Sequence, residues 1–101
     1  MSTLEEQFHH AMIGVYENAV DHGYIPTRFK EMIDEYGGLV AAQRLLAEPV
    51  IQSGLMRLWE LGCLKQSMEA LVLQPRFHKL FTDEERAEAS RRLVELGYAP
   101  K

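Results

Sequence analysis

Residues 53–75, SGLMRLWELGCLKQSMEALVLQP, restrict the fold more than any other stretch. They hold the only Trp, the only Cys and the densest apolar run. Ser53 suits a helix cap. Leu55, Leu58 and Trp59 recur at i, i+3, i+4 and share one face, from which Arg57 and Glu60 fall away. Gly62 stands where a left-handed residue ends a helix, and Cys63 and Leu64 are placed to fold back onto it. Ser67 caps a second helix over residues 68–74, with Met68, Leu71 and Val72 on one face, and Pro75 stops it. Such a pair reads as a helical hairpin or a helix-turn-helix. Neither helix is long enough to stand alone in water, so both must be buried against longer ones.

The longer helices are predicted on both sides. TLEE at 3–6 has capping-box form and opens a helix to about residue 22, with Leu4, Phe8, Ala11, Met12, Val15, Ala19 and Val20 as its apolar stripe. Gly23 ends it, with Tyr24 packing back on Ala19. Pro26-Thr27 opens a second helix to Tyr36, whose face is Phe29, Met32, Ile33 and Tyr36. Gly37-Gly38 form a tight junction to a third helix over residues 39–47, with Leu39, Ala42, Leu45 and Leu46 inward and Pro49 just beyond its end. Residues 76–81 read as an irregular turn anchoring Phe77, Leu80 and Phe81. TDEE at 82–85 is a second capping box, opening a helix to Leu96, with Gly97 after it, Tyr98 against Leu93, and a short tail of Pro100-Lys101. The one strand candidate, residues 49–52, is too short. The prediction is a single all-α domain over residues 1–101, a bundle of about six helices, the central two short and joined by a Gly turn.

The net charge of −4 speaks against a general nucleic-acid coat. The charge is uneven: residues 1–50 carry eight acids against three bases, and residues 51–101 carry seven acids against eight bases. One Cys excludes an internal disulfide and a Cys-only zinc site. No basic region followed by an apolar run opens the chain, and no segment approaches ~20 apolar residues, so a cytoplasmic protein without a membrane span is expected.

Little in the sequence carries chemistry. His9 and His10 are adjacent and point about 100° apart on a helix. Glu6 to His9 is the only Glu-x-x-His, too few ligands for a metal site. The histidine pair therefore reads as surface, with His22 near a helix C-terminus. Cys63 follows a helix end instead of beginning one, and reads as a small buried apolar residue. Neither a metal nor a cofactor is expected, and no catalytic residue is assigned. An enzyme would need a cleft gathering His78, Cys63, Tyr36 or the acids, and the sequence offers no such constellation.

GGLVAAQRLL, SGLMRLWELGCLKQSMEALVL, Pro75-Arg76-Phe77, LFTDEERAEASRRL and Gly97-Tyr98, in this order over residues 8–98, resemble a family of small bacterial proteins with no assigned activity. LWELG at 58–62 is the most specific block. The chain departs from that pattern at Cys63 and at Lys65-Gln66, where Arg and Asp are expected, which weighs against a chemical role for Cys63. The resemblance implies a compact bacterial intracellular domain and supplies no catalytic residues.

Two expectations follow. The first is a non-enzymatic protein-interaction module, joining a protein partner or a second copy, with Tyr16, Tyr24, Arg57, Trp59, Arg76 and His78 as contacts because aromatics and Arg anchor interfaces. Trp59 reads first as core and second as interface, given its apolar face. The second is a nucleic-acid-binding regulator, or an accessory of a defence system or mobile element, using Arg57, Arg76, Lys79, Arg86, Arg91 and Arg92 on phosphates. In that reading the helix over 68–74 would be the recognition helix, but it carries no base and looks buried.

Overall fold

The computed structural model describes residues 3–48 and 53–98. The short strand candidate, Pro49 and the terminal tail lie outside them, as does the Ser53 side chain with its expected cap. Among the described residues there are six α-helices and no strand: α1 (Leu4–Asp21), α2 (Thr27–Tyr36), α3 (Gly38–Ala47), α4 (Ser53–Glu60), α5 (Met68–Val72) and α6 (Asp83–Glu95). Two 3₁₀ turns, Leu64–Gln66 and Pro75–Leu80, flank α5.

Local chemistry sets most of these boundaries. Thr3–Glu6 and Thr82–Glu85 both close as reciprocal capping boxes. Three helices end in the same left-handed glycine motif. Behind α1, Gly23 has φ +88° and Tyr24 N–H donates to Ala19 O at 2.9 Å. Behind α4, Gly62 has φ +74° and Cys63 N–H donates to Leu58 O at 2.8 Å. Gly97 and Tyr98 repeat the bond to Leu93 O behind α6. The second central helix is shorter than predicted. Pro75 forces Gln74 into an extended conformation (ψ 134°), so α5 stops at Val72.

Gly37 alone joins α2 to α3, and Gly38 brings α3 close against α1. A Cβ on Gly38 would stand 2.7 Å from the Cα of His9 on α1. Its N–H donates to His9 Nδ1 at 2.8 Å, so His9 caps α3 from the neighbouring helix. His9 is therefore partly buried and structural, where a surface position was expected. Gly38→Ala meets backbone that cannot swing aside. The expected cost is about 2–3 kcal/mol, or a Tm lowered by roughly 10 °C or more in a thermal melt.

The main core joins α1, α2, α3, α5 and α6 around Phe8, Met12, Ile33, Leu45, Val72 and Phe77. The predicted stripes mostly hold, with three exceptions: Val20, Tyr36 and Trp59 are exposed, and Tyr36 lies under the Arg44 guanidinium at 4.1 Å. The 3₁₀ turn over residues 75–80 and the residue after it bury Phe77 and Phe81 against Phe8. Helix α4 is seated differently. Leu58 packs with Ala19 and Cys63, while Leu55 packs with Leu64 and Leu93. It thus bridges α1 and α6 through two satellite clusters. No helix among the described residues is long and apolar enough to cross a membrane.

Candidate functional site

Helix α4 and the turn after α1 leave a cleft between them. Leu58 of α4 meets Ala19 of α1, and Gly54 lies against the ring of Tyr24, whose hydroxyl would be 3.1 Å from a Cβ there. Beyond that contact the cleft opens to about 230 Å³, with walls of Val15, Ala19, Tyr24, Phe29, Leu55 and Leu58. Ile25 stands at its edge with 64% of its surface exposed. The rim is closed on one side by Arg28, paired with Glu48 at 2.5 Å. The walls are largely apolar, with Thr27, Arg28 and the buried Glu69 as their polar members. Chemically, the cleft can take hydrocarbon.

Trp59 does not join the core; it is 48% exposed, and Met56 beside it is exposed too. The buried arc of α4 is spanned by Leu58 and Leu55, and Trp59 falls about 100° from Leu58, at the edge of that arc. The other expected partner contacts are dispersed. Tyr24 is in the cleft wall, whereas Tyr16 lies beneath Lys30 on the α2 side of α1. Arg57 pairs with Glu60 at 3.6 Å. Arg76 lies over Phe77, and His78 is exposed on the 75–80 turn with its carbonyl bonded to Arg86. Ile25 was missed because a lone apolar residue before Pro26 carries no periodic signal.

Two of the six bases expected on phosphates, Arg86 and Arg92, are spent inside the molecule. Arg92, expected on a phosphate-binding surface, is fully buried at 0% exposure. Its Nη2 donates to the carbonyls of Leu45 (3.1 Å), Leu46 (3.3 Å) and Glu48 (2.8 Å) at the end of α3. Its Nε donates to Glu88 at 2.6 Å and its Nη1 to the buried Glu69 at 3.3 Å. Arg86 is mostly buried and bonds the carbonyls of His78 and Phe81 as well as Asp83. Arg91 is clamped between Glu88 and Glu95. That leaves Arg57, Arg76, Lys79 and Arg91 exposed, with Arg57 and Arg91 paired to acids. As for the expected recognition helix, Met68, Glu69, Leu71 and Val72 of α5 are all buried.

These ion pairs set the acid response. Arg91 first, then Arg92, hold the Glu88 carboxyl down to about 2 from its ordinary 4.5, against the opposing effect of partial burial. A depressed carboxylate stabilises the fold above its unfolded pKa, and that stabilisation is lost as pH falls through the folded one. Burial pushes Glu69 the other way, with its own backbone N–H and Arg92 opposing. Its contribution is therefore present at low pH and lost as pH rises through its folded value. Glu88→Gln separates the two. The stability advantage of the native chain over this variant should shrink by about 2–3 kcal/mol between pH 5 and pH 2 in urea titrations. Parallel curves would show that Glu88 is not coupled to folding.

Residues weighed for chemistry have structural partners. Glu6 accepts from Thr3 N–H, and His22 Nδ1 meets Asn18 O at 2.8 Å. Cys63 is buried beside Ala19 and Leu58, Tyr36 sits with Arg44, and His78 lies on the 75–80 turn, so these three are on different elements with different neighbours. Among the described residues no three His, Cys, Asp or Glu gather around a point. Compared with protein-family models, curated proteins and solved structures, the chain matches none of them.

Proposed function

We propose that this chain is a helical interaction module that holds a partner protein by an apolar side chain seated in the cleft between α4 and the α1–α2 turn. The observation that carries this reading is the cleft itself, with apolar walls and an exposed Ile25 at its edge. At about 230 Å³ it is smaller than the clefts that enclose drug-sized ligands or cofactors, and suits one or two large side chains. A buried side chain in a dry pocket is the usual centre of an interface. The nucleic-acid reading, by contrast, has lost Arg92 to the interior and Arg91 to a double ion pair.

The test is capture from cell lysate with nuclease present, comparing the native chain with Ile25→Asp and Trp59→Ala. Both positions are exposed, so both variants should fold. A partner should be retained by the native chain and by Trp59→Ala. Ile25→Asp should weaken it by a factor of about ten or more, the effect of placing a charge at an apolar hot spot. Capture that ignores Ile25→Asp, recovery only without nuclease, or empty beads would each sink the reading.

A further inference from the structure

A second groove lies on the other side of Val15, between α1 and residues 65–76, with a volume of about 250 Å³. Its chemistry differs from that of the apolar cleft. In a chain of net charge −4, the residues lining it include two bases and three amides and no carboxylate. Asn18 and Gln66 bridge its sides through a 3.3 Å bond. Arg76 is held in place, with its guanidinium 4.4 Å over the Phe77 ring and its Nε donating to Gln74 Oε1 at 2.9 Å. Its terminal amino groups bond nothing among the described residues, and Lys65 forms no ion pair there.

Gly14 is the second observation. It sits in the middle of α1, where Gly costs about 1 kcal/mol relative to Ala. Unlike Gly38, it is not needed by any internal contact: a Cβ there would meet nothing within 4 Å. Its φ is ordinary. The missing side chain leaves the groove floor open and serves no packing purpose within the fold.

We propose that the groove over Gly14 binds a small phosphate-bearing molecule. Arg76 and Lys65 take the phosphate, and Gln66, Gln74 and Asn18 take the hydroxyls of the body that carries it. A fixed guanidinium fork matches phosphate oxygens two at a time, and an ammonium adds a mobile point charge. The volume admits a sugar phosphate, and a site without carboxylates repels no anion. The proposal is independent of the apolar cleft and does not need the partner protein.

The test is calorimetric titration of the whole chain with ribose 5-phosphate at low salt, with succinate and a single-stranded oligonucleotide run alongside. Binding of ribose 5-phosphate is expected in the millimolar range or tighter, at least about tenfold stronger than succinate. Arg76→Ala should weaken it about tenfold, the loss of a charge-assisted pair. Gly14→Leu should abolish it. That variant puts a side chain on the groove floor, keeps ordinary helical φ and gains helix propensity, so it stays folded. No binding at about 10 mM, or equal affinity in Gly14→Leu, would overturn the proposal. An oligonucleotide that binds far more tightly, with steep salt dependence and loss in both variants, would reassign the groove to nucleic acid.

Discussion

Arg92→Met will lower the stability of the fold by about 3–5 kcal/mol, read as a fall in the urea midpoint with little change in slope. The reason lies at the end of α3. The last carbonyls of any helix have no partner within it. Helices α1, α2, α4 and α6 meet that need with glycine: Gly23, Gly37, Gly62 and Gly97 all have positive φ. Helix α3 has no glycine at its end; it stops at Ala47, and Glu48 turns directly into an extended conformation (φ −71°, ψ 137°). Its carbonyls at Leu45 and Leu46, and the next at Glu48, are taken by one guanidinium arriving from α6. Met replaces the aliphatic part of the side chain but supplies no donor. The variant removes the Arg92 donor from these carbonyls, leaving Leu45 O only the Glu48 N–H at 3.3 Å among the described residues, and leaves Glu69 without its cation. Arg92→Lys should recover only part of the loss, because one ammonium cannot reach three carbonyls and two carboxylates at once. Adding Glu69→Met to Arg92→Met should restore about 1–2 kcal/mol, since a pair replaced by apolar groups is cheaper than a pair broken in half. A loss below about 1 kcal/mol in Arg92→Met would show that water satisfies the end of α3 equally well.

That arginine also marks where the sequence stops being legible. The helices are readable because their boundaries depend on neighbours in the chain. Thr3 with Glu6, Thr82 with Glu85, and the glycines after α1, α4 and α6 act within a few residues, and each bond they predict forms. Arg92 acts on residues 44 to 47 positions away. Its type suggests a surface. Its position suggests otherwise, since Ala89, Arg92, Leu93 and Leu96 recur at i, i+3, i+4, i+7. A base on an apolar stripe, together with a helix that ends without glycine, is a pair of local anomalies that cancel in space. His9 and Gly38 are another such pair. The cleft is less legible still. Tyr24 could be named for its type, but Ile25 and the seat of α4 depend on how two satellite clusters hold that helix off the main core. Trp59 follows the same logic. Its face is apolar in sequence, yet the bundle needs only Leu55 and Leu58 from α4.

Phe8→Ala will cost about 4 kcal/mol, comparable to losing Arg92, but through packing alone. Phe8 is fully buried on α1. Its ring meets Phe77 edge-on, with centroids 5.1 Å apart and planes at 85°, and meets Phe81 at 5.1 Å and 66°. Such edge contacts add about 0.5–1.5 kcal/mol each beyond the area they bury. Phe77 lies in the 75–80 turn and Phe81 follows it, a stretch too short and irregular to hold itself in place. The three rings fasten that stretch to α1, so the cavity left by Ala lies where the turn is seated. Two consequences separate this from a general loss of stability. Amide exchange at Phe77 and Phe81 should quicken more than exchange at Leu45 and Leu46, because the opening is local before it is global. Phe8→Leu, which keeps most of the volume, should cost only about 1–1.5 kcal/mol and leave that exchange close to native. Arg76 is stacked on the Phe77 ring, so its guanidinium keeps its position over the Gly14 groove only while Phe8 holds that ring. Uniform acceleration of exchange across the bundle in Phe8→Ala would mean that the turn is held by the rest of the core, and that Phe8 does not position Arg76.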